Sequence, residues 1–304
     1  MKKQTKKAVI DLGTNTFHLL IVEPDGAGHF KEVYRKRIFV QLAEDSIAHI
    51  GKAAFERGLN ALRAYKTVLD EYDIQEVRAF GTAALRRASN SAEFRATILQ
   101  ETGIEVQVIG GDEEARLITE GVRLAVPVDE KPVLIMDIGG GSVEFIIAND
   151  SEVFWARSFP VGVAILYNDF HKSEPISEIE INQVRQFLEH QLLPLRKALS
   201  QHPVAALVGA SGTFDVLEAM LIDIKDSPLH AFIQAKDFYP IYDRIVGVPL
   251  DERLKINKLP TQRAELIVVA LILIHYVLEE INIEKIIVSM YAMKEGMLSE
   301  LIHR

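Results

Sequence analysis

The sequence predicts an α/β protein built as two similar halves, each a mixed sheet flanked by helices. Three observations predict it. A pattern of fifteen residues occurs twice, β-rich runs alternate with stretches of helical periodicity, and 304 residues at 48% hydrophobic supply apolar material for two cores. Domains of about 100–200 residues are then expected. The reading is a first domain over 1–123, with a C-terminal helix near 291–304 packed back on it, and a second over 124–290.

The duplicated element comes first. Residues 8–22, AVIDLGTNTFHLLIV, align without gaps on residues 134–148, LIMDIGGGSVEFIIA, at an offset of 126. Each copy reads as a β-hairpin, because two β-rich runs flank a short loop of residues that tolerate tight turns. A duplicated strand-loop-strand carrying a ligand loop implies two similar halves facing each other. Phe55, Leu59, Leu62, Tyr65 and Leu69 recur at helical spacing and predict a helix over 52–72, followed by a strand at EVRAFGT. NSAEF offers Asn90 as N-cap with Glu93 three residues on, opening a helix that Gly103 closes. Strand IEVQVIGG and helix DEEARLITEGVRL complete the half, and Pro127 to Lys131 form the crossover. The second half repeats the theme with a long helix at about 177–200, strand VAALVGA, helix TFDVLEAML, helical segments to about 280, strand EKIIVSM and a last helix. Leu266 to Ile274 is a buried helix, interrupted by His275 and short of the ~20 apolar residues of a membrane span.

Composition excludes several function classes. A net charge of -9 disfavours a general nucleic-acid binder, so a polyanionic substrate would need a local basic patch. The absence of cysteine rules out disulfides and thiolate metal sites, agrees with a reducing cytoplasm, and leaves oxygen or histidine to hold any metal. MKKQTKKAVIDLG starts basic like a signal peptide, but Asp11 cuts its apolar stretch after three residues. Export by that route is not expected, and the location expected is cytoplasmic.

Glycines after a strand let backbone N–H groups turn toward a ligand that a Cβ would keep away, and such concavities bind phosphate. Gly139, Gly140 and Gly141, followed by Ser142, fit that job. For one motif alone, a glycine-rich turn with no ligand is an equally good reading. The matching loop at Gly13, Thr14 and Asn15 shifts the balance, as does GASGT at 209–213 with Ser211 and Gly212. No Walker loop is present, and no G-x-G-x-x-G follows a strand. Asp11 and Asp137 could cap strand ends, but each stands before a glycine loop, which favours metal or water ligation. Glu113 and Glu114 sit in a first helical turn, where carboxylates favour the dipole, and for the pair alone that reading prevails. Only beside the phosphate loops does Glu114 become a candidate base. Arg86 and Arg87 could be solvated charge, and a place straight after GTAAL favours Arg86 for phosphate. His18, at the echo position of Glu144, reads as packed or hydrogen-bonded, and the nine histidines form no metal-spaced cluster.

The two aspartate-glycine hairpins and the third glycine turn resemble the phosphate and adenosine motifs of the actin-like ATPase superfamily, whose domains share a ribonuclease H-like fold. Within it, DLGTNTFHLLI, GTAALRRASN, GGDEEARLITEGV, DIGGGSVEF and GASGT resemble the exopolyphosphatase and guanosine pentaphosphate phosphohydrolase family, and RAELI with SMYAMKEG extends the match over nearly the whole chain. No His-Asp dipeptide marks an extra hydrolase domain, so the chain is similar to the short, two-domain form. The resemblance implies an active site in the interdomain cleft, Glu114 as catalytic base, Asp137 and Glu144 beside a divalent metal, Arg86 and Asn15 on phosphate, and a homodimer. It implies Mg²⁺ or Mn²⁺ as cofactor, and as substrate inorganic polyphosphate or a guanosine penta- or tetraphosphate, with no nucleic-acid or membrane partner. Phosphoryl transfer needs a positioned nucleophile and charge neutralisation, which carboxylates with Mg²⁺, an arginine and N–H groups supply.

Two rivals stand beside this reading. A small-molecule kinase of the same superfamily would leave DEEA unexplained and needs a larger capping region than 304 residues allow. A nucleotide or alarmone sensor could dispense with Glu114. Family members usually carry a basic residue and glycines near residue 41, where this chain has VQLAED, and Arg-Glu-Gly where it has Lys294-Glu295-Gly296. Both departures bear on substrate grip rather than on the chemistry.

Overall fold

In the computed structural model, which describes residues 5–26 and 29–302, the chain divides into two units, Met1–Gly121 with Met293–Arg304, and Val122–Ala292. Residues 1–4 of the basic start and the last two positions of the helix expected near 291–304 lie outside the described residues.

The first unit is built on strands β1 (Lys7–Leu12), β2 (Thr16–Pro24) and β3 (Phe30–Phe39), helix α1 (Lys52–Glu71), strand β4 (Val77–Gly81), helices α2 (Ala83–Arg87) and α3 (Ser91–Thr102), strand β5 (Val106–Val108) and helix α4 (Gly111–Ala125), which runs across the division. The sheet order is β3-β2-β1-β4-β5, antiparallel through β1, β2 and β3 and parallel through β1, β4 and β5. Leu59, Leu62, Tyr65 and Leu69 of α1 are buried, as their spacing predicts, and Phe55 packs edge-on against Phe94 of α3. Gly103 ends α3 in the left-handed conformation, φ 69°. The capping box expected at Asn90 is not formed. Its amide instead accepts from the Ile50 N–H and donates to the Ile50 carbonyl, both at 2.9 Å, tying two loops together and leaving α3 without a side-chain cap.

The second unit repeats the plan. Strands β6 (Val133–Ile138), β7 (Val143–Ala148) and β8 (Val153–Phe159) precede α5 (Val163–Phe170), α6 (Glu178–Gln191), α7 (Leu193–Gln201), β9 (Leu207–Ala210) and α8 (Gly212–Leu221). Then come β10 (His230–Gln234), α9 (Ala235–Val246), α10 (Leu250–Arg253), a 3₁₀ turn (Thr261–Arg263), α11 (Ile267–Ile281) and β11 (Lys285–Ser289), after which the chain passes into α12 (Met293–Ile302). The order β10-β11-β9-β6-β7-β8 contains the first sheet's arrangement, read as β8-β7-β6-β9-β11, with β10 added antiparallel outside β11. The architecture is therefore α/β with two mixed sheets flanked by helices. The helix expected over 177–200 is two helices, because Pro194 in the first turn of α7 has no N–H with which to continue the ladder of α6. α11 is buried at nearly every position and forms the middle of this unit's core. α12 belongs to the first unit, where fully buried Glu295 meets Arg35 at 3.3 Å, Glu300 meets Arg78 at 3.2 Å, and the Leu301 carbonyl accepts from Lys7.

Candidate active site

The repeat holds down to the hydrogen bond. In β1 and β2, Asp11 stands opposite His18, and the Gly13 N–H donates to the Thr16 carbonyl at 3.1 Å. In β6 and β7, Asp137 stands opposite Glu144, and the Gly139 N–H donates to the Ser142 carbonyl at 3.0 Å. A Cβ on Gly13 or Gly139 would lie 2.8 or 2.9 Å from that carbonyl oxygen, so the turn closes at this tightness only on glycine.

In the first unit, the Thr14 carbonyl accepts from Leu42 at 2.7 Å and the Asn15 carbonyl accepts from Val40 and Gln41 at 2.9 and 3.0 Å. A trans peptide points its C=O and the next N–H in opposite directions, so tying these carbonyls down turns the N–H groups of residues 15 and 16 the other way. Arg86, at the end of α2, donates through Nη1 to the Ile109 carbonyl at 3.0 Å and to Glu114 Oε2 at 2.6 Å. The two adjacent glutamates are thereby separated in role. Glu113 forms a surface pair with Arg116 at 2.7 Å, which holds its carboxyl below the usual range, whereas Glu114 is buried, 8% exposed, against Arg86. Arg87 is exposed. Near Asp11, burial and the aspartate charge push the Tyr65 hydroxyl up, so it remains the donor to the Phe17 carbonyl at 2.7 Å.

In the second unit, the first turn of α5 holds the glycine loop from behind. The Val163 N–H donates to the Gly139 carbonyl at 3.0 Å and the Ala164 N–H to the Gly140 carbonyl at 2.8 Å. By the same peptide geometry, the N–H groups of Gly140 and Gly141 face away from α5. The N–H groups on that side have the geometry that can receive an anion, with Ser142 buried beside them. The third turn joins it. Ser211 adopts φ 69°, a conformation that costs an L-residue about 1–3 kcal/mol, and its hydroxyl donates to the Ile138 carbonyl at 2.9 Å. Gly212 then opens α8.

Among the described residues no three histidine, aspartate or glutamate side chains converge as a metal cluster. Asp137 and Glu144 nevertheless suit Mg²⁺ or Mn²⁺. They are direct cross-strand neighbours, hence on one face of the sheet, 8% and 2% exposed, and Glu144 Oε1 also accepts from Ser158 at 2.6 Å. Two carboxylates opposite each other repel, a cost that a cation relieves, and Mg²⁺ is commonly held by one or two carboxylates with water and substrate oxygens for the rest.

Two residues of this site escape sequence reasoning. Gly162 is the N-cap of α5, and a Cβ there would lie 2.3 Å from the Gly140 carbonyl oxygen. Arg263, from the 3₁₀ turn, lays its guanidinium against the backbone of Gly212, where a Cβ would fall 1.7 Å from Nη2. A glycine at the strand-to-helix junction in FPVGVA was the available signal for the first. For Arg263, placed 51 positions after Gly212, there was none beyond the RAELI resemblance.

A pair of sheets with one strand order, each opened by an aspartate-glycine hairpin, defines the actin-like two-domain class. Comparison with known proteins takes this one step further. The model of the Ppx/GppA phosphatase family matches residues 21–304. An exopolyphosphatase from Cytophaga hutchinsonii is 36% identical, with 98% of each chain covered and a TM-score of 0.94. The Aquifex aeolicus member of the Ppx/GppA family is 25% identical, again with 98% of each chain covered, at a TM-score of 0.81. The chain belongs to the Ppx/GppA phosphatase family, and it is accordingly a hydrolase of phosphoric anhydride bonds. No described helix is long and apolar enough to cross a membrane.

Proposed function

We propose that this protein is an exopolyphosphatase that releases terminal orthophosphate from inorganic polyphosphate, with guanosine pentaphosphate as the other substrate of the same chemistry. The observation that carries the reading is the part-buried contact between buried Glu114 and Arg86 at 2.6 Å, which sets a proton acceptor beside a donor to phosphate oxygens. In this reading Glu114 orients and deprotonates the attacking water. Arg86 exchanges its carboxylate partner for a phosphoryl oxygen, and charge-assisted N–H donors of this kind are the strong ones. The N–H groups of residues 139–142 and Ser142, together with Ser211 and Gly212, receive the oxygens of the transferred group, while Thr14 and Asn15 line the first loop. Asp137 and Glu144 would hold Mg²⁺ or Mn²⁺ on the second hairpin. A cation bound there supplies neutralisation of the phosphate charge.

Purified protein is incubated with Mg²⁺ and, separately, long-chain polyphosphate, guanosine pentaphosphate, and ATP with a panel of sugars. Orthophosphate released from polyphosphate is the expected result. Phosphorylated sugar without phosphate release would establish a kinase instead, and binding of guanosine nucleotides without turnover would establish a sensor.

A further inference from the structure

We propose that the first turn of α3 is a second oxyanion subsite, beside the Arg86–Glu114 pair, and that it takes a phosphate group through Ser91, Arg95 and the helix N-terminus. The place is an open depression of about 550 Å³ on the first unit, lined among others by Arg86, Ser89, Ser91, Arg95 and Gly110. No residue of its lining carries a carboxylate, on a chain whose net charge is -9.

Two buried polar groups in this lining have no hydrogen-bond partner. Ser91 is 8% exposed and its hydroxyl is unpartnered, and the Nε of Arg95 is likewise buried and unpartnered. They lie four residues apart on one helix and so share a face. Buried polar groups are nearly always satisfied, and the loss of a partner costs about 1–3 kcal/mol each, so two such groups side by side mark a place for an ion or water. The helix adds to this. α3 is 12 residues long and its N-terminal partial charge favours an anion, while Asn90, which would otherwise cap it, is held by Ile50.

The charge that serves the subsite is Arg95. Arg86 is engaged by Glu114, whereas Arg95 makes no ion pair among the described residues, and its Nη1 reaches only the Val106 carbonyl, at 3.5 Å. Glu93, on the same turn, is exposed and outside the lining. A tetrahedral oxyanion suits this set of one guanidinium, a hydroxyl and helix N–H groups. The phosphate could belong to a polyphosphate chain or be free orthophosphate. Only the first source rests on the function proposed above.

The test titrates inorganic phosphate into the wild-type protein, Arg95→Gln, Arg95→Lys and Ser91→Ala by calorimetry, with each fold checked by thermal melting. Arg95→Gln and Ser91→Ala should each weaken one binding component by about tenfold or more, Arg95→Lys should retain part of it, and the component due to Arg86 should persist in all. Steady-state hydrolysis then separates the sources. A raised KM for long polyphosphate at unchanged kcat identifies a chain phosphate, and an unchanged KM identifies free orthophosphate. Isotherms of folded Arg95→Gln and Ser91→Ala that superimpose on the wild type would overturn the subsite. The titration decides this even if the protein hydrolyses no polyphosphate, in which case only the proposed function fails.

Discussion

Gly162→Ala isolates the placing of the glycine loop from every other property of the site. Gly162 has φ −64° and ψ 158°, which alanine adopts without strain, and the nearest contacts of an added methyl are with the backbone of the glycine loop rather than with Glu114, Arg86 or the carboxylates. The added Cβ, however, would stand 2.3 Å from the Gly140 carbonyl oxygen, 2.4 Å from its carbon and 2.5 Å from the Gly141 carbon, where ordinary contact begins at 3.4 Å. All three are backbone atoms, so no side chain can swing aside and the loop must retreat from α5 by about 1 Å. Overpacking of this kind costs about 1–3 kcal/mol, and the stiffer unfolded chain returns about 0.4–1 kcal/mol. A net loss of about 1–2 kcal/mol lowers the melting temperature by a few degrees. A misplacement of about 1 Å in a positioning element costs on the order of 10²-fold in rate. The assay is steady-state orthophosphate release from polyphosphate with Mg²⁺, beside thermal melting of the same samples. A variant that melts a few degrees lower yet keeps kcat within a few-fold of wild type would refute the claim that the N–H groups of this loop must be held in place by α5.

Glu114→Gln should lower kcat by about 10²–10⁴-fold and leave KM within a few-fold, because glutamine keeps the shape but accepts no proton; a rate near wild type would return Glu114 to a helix-start carboxylate. Arg86→Ala should raise KM and lower kcat together, as expected of a charge that meets phosphate in both ground and transition states. Activity should disappear in excess chelator and return with Mg²⁺ or Mn²⁺, and Asp137→Asn should raise the Mg²⁺ concentration needed for half-activity more than Asp11→Asn does; full activity in chelator would rule out the metal. Stability should fall with acidification below about pH 6.5 through His171, whose folded pKa is lowered by burial and also by Arg253, against the raising influence of Glu174 and Glu180. The unfolded chain then takes up this proton at a higher pH than the folded one, so protection is complete above pH 6.5 and declines below it. His171→Phe should flatten that decline in denaturant titrations, with His275, lowered in the same direction and present in both proteins, cancelling from the comparison.

What could be read from the sequence was whatever repeats or alternates locally. The hairpins at 8–22 and 134–148 fall on β1–β2 and β6–β7, α1 lies within one residue of the span predicted for it, and Gly103 ends α3 as expected. Strands β3, β8 and β10 were not anticipated. Each lies at a sheet edge with part-exposed residues such as Arg35, Trp155 and Phe232, so neither an apolar run nor a clean alternation marks it. Asn90 shows a second limit. Its spacing to Glu93 fits a capping box, but the amide finds better partners at Ile50, forty residues away in sequence. The same holds for the site. The placing of Asp137 opposite Glu144 was legible because both belong to one hairpin, and the distinct partners of Glu113 and Glu114 were not, because a long-range contact with Arg86 decides them.

The two hairpins also show where a duplicated element diverges. Their first strands, the register of the paired residues and the hydrogen bond that closes each turn coincide under a shift of 126 residues, so the backbone demands at the turn are the same in both copies. The cross-strand neighbour of the aspartate differs. His18 faces Asp11 across β2, and a histidine beside a carboxylate can share a proton or a hydrogen bond with it. Glu144 faces Asp137 across β7, and two carboxylates at that spacing repel unless a cation or a proton comes between them. Burial sharpens the contrast, because Glu144 at 2% exposed has almost no solvent to screen it. One difference at a shared register position therefore sets a histidine beside the aspartate in the first hairpin and a second carboxylate beside it in the other. That difference is why the metal proposed above is assigned to the second copy, and why loss of Asp137 should be felt first in the Mg²⁺ concentration needed for half-activity.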